Sequence, residues 1–171
     1  MMKILFISKY LPDNPHKVHG TFKRLTTFID AIKEIAELDM LFFTLPGYDC
    51  SEPTVRKLRN QLSKLWQTEI DLSLCPMSEF DDKSEFRKWL SFAKGTYSFF
   101  NLKGWIEFSG EKQLKAVEKL LDKKPDVVFA HRISAMCPLL LTTKPLPPIF
   151  FDLDDLEHVV VGRYIKHRKT L

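Results

Sequence analysis

Lys3-Ile4-Leu5-Phe6-Ile7-Ser8 opens the chain with an unbroken apolar run closed by a hydroxyl residue. A run without alternation fits a strand covered on both faces, as in a parallel sheet. Pro125-Asp126 leads into a second such run, Val127-Val128-Phe129-Ala130, and prolines 145, 147 and 148 lead into a third, Ile149-Phe150-Phe151. Between the first two lie Leu38–Leu45, ended by Pro46-Gly47, and Ile70–Cys75, ended by Pro76. That makes five strand candidates.

Helical spacing separates them. Phe22, Leu25, Ile29, Ile32 and Ala36 form one stripe, which predicts a helix over Thr21–Ala36. Ser51-Glu52-Pro53 carries helix-start chemistry, a hydroxyl cap and a proline near the first turn. Val55, Leu58, Leu62 and Leu65 continue that helix to about Trp66. Leu114, Val117 and Leu121 define another over Glu111–Leu121, after Gly110. A short helix is expected over Ser134–Leu141, and a last one from the acidic run Asp152-Leu153-Asp154-Asp155-Leu156-Glu157-His158 towards Leu171. Strands alternating with helices argue for an α/β fold with an open parallel sheet and right-handed crossovers.

The 171 residues suit one domain with a sizeable core. Hydrophobic residues at 44% and charged residues at 28% exclude a wholly disordered chain. Lys+Arg number 26 against 22 Asp+Glu, and the +4 balance is spread among acids, so a nucleic-acid partner is not expected. Cys50, Cys75 and Cys137 show no metal-ligand or disulfide spacing, which fits a reducing compartment. No apolar run approaches the ~20 residues of a membrane span. The start, Met1 to Ser8, lacks a small-residue cleavage site and reads as a first strand of a cytoplasmic protein.

In open parallel sheets, ligands bind beyond the carboxyl ends of the strands. After the first strand come Ser8, Lys9, Tyr10 and a loop with Pro12, Pro15, His16, His19 and Gly20. After the fourth come His131 and Arg132; after the last come Asp152, Asp154, Asp155, Glu157 and His158. These clusters are expected to meet at one edge. Gly20 before a helix leaves room for an anion at the helix N-terminus or simply lets the chain turn. His131 is a candidate base or hydrogen-bonding partner, or a histidine that ties down a loop. Arg132 is a candidate anion holder. The acids after the last strand suit the positive end of a helix, and a metal site is not expected from them. Phe86, Trp89, Phe92, Tyr97, Phe99, Phe100, Trp105 and Phe108 interleave with Lys88, Lys94 and Lys103 over 81–108, a pattern shared by buried helices and interfacial ones.

The ordered set resembles the N-terminal domain of family 4 retaining glycosyltransferases, which have the GT-B fold. It comprises the opening strand to Pro12, a loop ending in Gly20, a helix bearing Arg24, the segment Pro125–Met136, and Ile149–His158. The resemblance implies a Rossmann-like domain, half of a two-domain enzyme, that binds acceptor and faces a C-terminal Rossmann-like domain holding a nucleotide-sugar. It implies His131 as the catalytic-cleft histidine, and His19, Gly20, Arg24, Arg132, Asp152, Asp155 and Glu157 as acceptor- or donor-side positions. Where the family commonly has two glycines, this chain has His19-Gly20. Further implications are a glycan or lipid-linked acceptor, peripheral contact with the inner membrane face, and no cofactor or metal besides the nucleotide-sugar co-substrate. Two other readings remain open: a free-standing, non-catalytic α/β binding module, and a haloacid dehalogenase-like phosphatase using Asp152 and Asp154. The second resemblance is local to Ile149–Asp155, and few residues follow it.

Overall fold

A computed structural model describes residues 1–12, 20–77 and 110–153. Side chains alternate between the faces of a strand, and β1 (Met2–Ser8) fills both. Ile4 and Phe6 face one layer, Leu5 and Ile7 the other, each at most 5% exposed. The first layer is built by α1 (Gly20–Ile32), through Leu25 and Ile29, and α2 (Glu52–Trp66), through Leu58, Leu62 and Trp66. The second is built by α3 (Glu111–Leu121), through Val117, Leu120 and Leu121, and α4 (Ile133–Leu141), through Ala135 and Leu139.

The other strands are β2 (Ala36–Thr44), β3 (Ile70–Pro76), β4 (Val127–His131) and β5 (Ile149–Asp152). All pairings are parallel, in the order β3-β2-β1-β4-β5. The chain runs outward from β1 to β3, then returns to place β4 on β1's other side. This is a doubly wound, Rossmann-like α/β sheet, and its switch point lies between the carboxyl ends of β1 and β4.

The structure moves several predicted boundaries. The first helix ends at Ile32; Ala36 pairs with Met2 as the start of β2. The Ile35 amide bonds the Ile32 carbonyl at 3.1 Å, a tightened last turn. Leu45 is 69% exposed in a turn, so β2 stops at Thr44. On α2 the buried face runs through Leu62 to Trp66, leaving Leu65 39% exposed. On α3 Gln113 is buried where Leu114 is only half-buried, and its Oε1 accepts from the Gly110 amide at 2.6 Å, satisfying an end-of-helix donor. Ser51 does occupy the N-cap of α2, but its hydroxyl donates to Asp49 rather than capping a helix amide. The aromatic stretch 81–108 and the last expected helix lie outside the described residues.

The Leu45-Pro46-Gly47-Tyr48 turn closes with the Tyr48 amide on the Leu45 carbonyl at 3.2 Å. Proline second and a glycine at φ +77° third is type II turn chemistry. A Cβ on Gly47 would meet nothing within 4 Å, so the cost of Gly47→Ala is purely conformational. We expect it to destabilise by about 1 kcal/mol in urea unfolding. An unchanged midpoint would show that the turn is not held in this conformation.

Candidate functional site

Strand register sets the site. Ser8 lies beside His131, and His131 beside Asp152, so the last residues of β1, β4 and β5 form one row at the switch point. One described member of each polar cluster expected after these strands therefore lies in this row. Ser8 and His131 are fully buried and Asp152 is 5% exposed. Such polar groups are tolerated only when bonded. The Ser8 Oγ lies 2.8 Å from His131 Nδ1, a hydrogen bond in either tautomer, and accepts from the Tyr10 amide at 3.0 Å. The His131 ring lies against Phe6, with centroids 6.4 Å apart.

Arg24 closes the row from α1. Its Nε and a terminal nitrogen donate to the two oxygens of Asp152 at 3.1 and 2.5 Å, a bidentate fork. Its guanidinium also sits 5.4 Å from the Phe28 ring centre. Phe28 meets Phe129 at a tilt and Phe129 stacks on Phe150, with ring centres 5.0 and 4.9 Å apart, joining the ion pair to the core.

Serine, histidine and aspartate in one row invite a hydrolase reading, which the geometry does not favour. The hydroxyl is fully buried, and the His131 Nε2 to Asp152 distance is 3.8 Å, beyond a hydrogen bond. Asp152 is likewise poorly placed as a phosphatase nucleophile, because both its oxygens are engaged by Arg24. Among the described residues, no group of three or more His, Cys, Asp or Glu is arranged to hold a metal ion.

Arg132 has an unusual backbone. It lies at φ 71°, ψ 164°, a region used almost only by glycine, at a cost of roughly 1–3 kcal/mol. Bonds on both sides hold it there. Its amide donates to the Asp152 carbonyl at 2.9 Å, and its own carbonyl accepts from Ala135 and Met136 at the start of α4. Its guanidinium donates to the Thr21 hydroxyl at 3.1 Å, so α1 and α4 meet across the edge.

A cleft of about 440 Å³ opens beside this row. Lys9, Tyr10 and Leu11 after β1, Phe43 to Leu45 at the end of β2, Tyr48, Arg132 and Ser134 line it. It has two cations and no carboxylate among these groups. Next along the chain from Tyr48, the exposed Asp49 accepts from Thr54 and from the Ser51 amide and hydroxyl, and these bonds, Thr54's first, hold its carboxyl below the ordinary carboxylate value. A larger groove, about 890 Å³, lies at the opposite, amino end of the strands. Lys123 spans it between Asp39 and Asp71. Burial opposes the charge on Lys123, but its bonds to Asp71 and Asp39 outweigh this and raise its pKa.

Of the residues expected at the site, the structure brings together Arg24, His131, Arg132 and Asp152, with Gly20 opening α1. Among the described residues, a Cβ on Gly20 would meet nothing within 4 Å. His19, Asp154, Asp155 and Glu157 lie outside the described residues. Thr21, Thr44, Tyr48 and Ser134 join the site without any sequence signal singling them out. No protein-family model, curated protein or solved structure matches the chain.

Proposed function

We propose that this chain is the acceptor-side domain of a retaining, GT-B-type glycosyltransferase, working with a second Rossmann-like domain that carries the nucleotide-sugar. One observation carries the reading: an open, cationic cleft at the switch point of a doubly wound sheet, beside a buried His131–Asp152–Arg24 row. Such an edge suits binding, and the described residues lack an exposed nucleophile–base pair. A two-domain design explains that lack, because the reacting centre then forms only where the two domains face each other. In this reading the buried His131 and Asp152 brace the strand ends behind the site, and Arg132, which lines the cleft, reaches the ligands. Among the described residues no helix is long and apolar enough to cross a membrane.

The test uses the native protein, purified from its own cells with an antibody to this domain. Supplied with radiolabelled UDP-, GDP- and ADP-sugars and the cells' own glycan and lipid fractions, it should label a product. The isolated 171-residue chain should transfer nothing. Transfer by the isolated chain would end the half-site reading. Failure of the native protein with every donor would favour a non-catalytic binding module, a reading supported by the complete burial of Ser8 and His131.

A further inference from the structure

We infer that Thr21 is a positioning residue, whose hydroxyl holds the Arg132 guanidinium in place beside the cleft. Arg132 is fixed at two points. Its backbone is one. At φ 71°, ψ 164° it occupies a conformation that suits glycine, and such outliers persist where the surrounding structure over-determines them and cluster at functional sites. The bonds that hold it there run from its own amide to Asp152 and to its own carbonyl from Ala135 and Met136. A glycine could make all three without strain. None of them uses the arginine side chain, so the reason for an arginine lies in what that side chain does. Its guanidinium is the second fixed point. A terminal nitrogen donates to the Thr21 hydroxyl at 3.1 Å, across 111 residues of chain.

Thr21 is well mounted for that task. It lies in the first turn of α1, whereas Arg132 is the N-cap residue of α4. The bond therefore crosses the switch point, from one helical layer to the other. Threonine is stiff at its first side-chain torsion, so a hydroxyl carried on a helical turn has few directions to take. Both residues are half-buried, and Arg132 lines the cleft. An arginine that is not held spreads its planar fork over many rotamers, and ordering it at each encounter with a ligand costs binding and rate. A fork set in advance loses less. The Thr21 bond thus turns a long, flexible cation into a preset one.

The inference rests on the transferase reading only for the reaction that Arg132 serves, and its first test needs no turnover. NMR of the arginine guanidinium groups in the full 171-residue chain follows rotation about the Nε–Cζ bond of Arg132, which exchanges its two terminal nitrogens. A bond to either nitrogen slows that exchange. Rotation should be about tenfold faster in Thr21→Val, which keeps the side-chain shape and removes the hydroxyl, than in the parent or Thr21→Ser. Urea unfolding then checks the backbone: Arg132→Gly should unfold several-fold less readily than Arg132→Ala, which lacks the same side chain but keeps the strain. The last readout is turnover per folded molecule of the native protein. Thr21→Val should slow it at least about fivefold, and Thr21→Ser should recover most of the rate. Arg132→Gly should slow it by at least as much, and adding Thr21→Val to it should cost nothing further, because Thr21 acts through the guanidinium. Equal rotation in the parent and Thr21→Val, equal unfolding of the glycine and alanine variants, or a further loss in the double variant would each overturn the inference. So would undiminished turnover in Thr21→Val, which would leave the bond as a packing contact between α1 and α4. A native protein that transfers nothing would sink the transferase reading alone, and the rotation rates would still decide whether Thr21 holds Arg132.

Discussion

Arg24→Met should lower the unfolding free energy by about 3 kcal/mol, while Asp152→Asn should cost only about 1. The asymmetry follows from exposure. The Arg24 side chain is 43% exposed and the Asp152 side chain 6%. Without Arg24, a buried carboxylate at the end of β5 loses both charged donors, and an uncompensated buried charge typically costs ~3–5 kcal/mol. Arg24 is half in water, so the lower end applies. Without the Asp152 charge, the guanidinium turns to solvent, and asparagine still offers one acceptor. The double variant should recover part of the Arg24→Met loss, because no charge is then left buried and alone, with a coupling of roughly 1–2 kcal/mol. Urea unfolding of the parent, both single variants and the double variant measures all four corners. A loss below about 0.5 kcal/mol for Arg24→Met would mean that the fork is a surface contact of little worth.

The meeting of Ser8, His131 and Asp152 was legible because each is the polar residue that ends or closely follows a buried apolar run. In a parallel sheet such residues fall at one edge whatever the strand order. The helix end was not legible. Ala36 continues the Ile29–Ile32 spacing as a helical residue would, and alanine has no preference strong enough to object. Pairing of Ala36 with Met2 decides it, and that contact spans most of the first crossover. The same limit applies to the site. Arg24 and Asp152 are 128 residues apart, so neither announces the other. The Pro46-Gly47 turn was readable from residue type, but not that it delivers Tyr48 to a cleft shared with Lys9 and Arg132. The Arg132 backbone was the least readable of all: glycine advertises a positive φ, whereas an arginine there is held by bonds to Asp152, Ala135 and Met136, residues that local sequence does not link to it.

His131→Ala should cost about 3 kcal/mol of stability, and its companion variants should say whether the imidazole positions or reacts. The ring is wholly buried beside Phe6, so its removal leaves a void that a closely packed sheet cannot collapse to fill. It also takes away the 2.8 Å partner of the buried Ser8 hydroxyl, a loss of ~1–3 kcal/mol by itself. His131→Asn keeps a short polar side chain within reach of Ser8 and should regain part of the loss. Ser8→Ala with His131→Phe removes both polar partners, and should be closer to the parent than His131→Ala is. Urea unfolding ranks the three. Turnover per folded molecule of the native protein then separates the roles. A ring with no exposed surface is expected to act by holding β1 and β4 in register beside Asp152, so that His131→Asn regains turnover along with stability. A His131→Asn protein nearly as stable as the parent but at least about tenfold slower would show that the imidazole itself takes part in the proposed transfer, rather than only holding the strands.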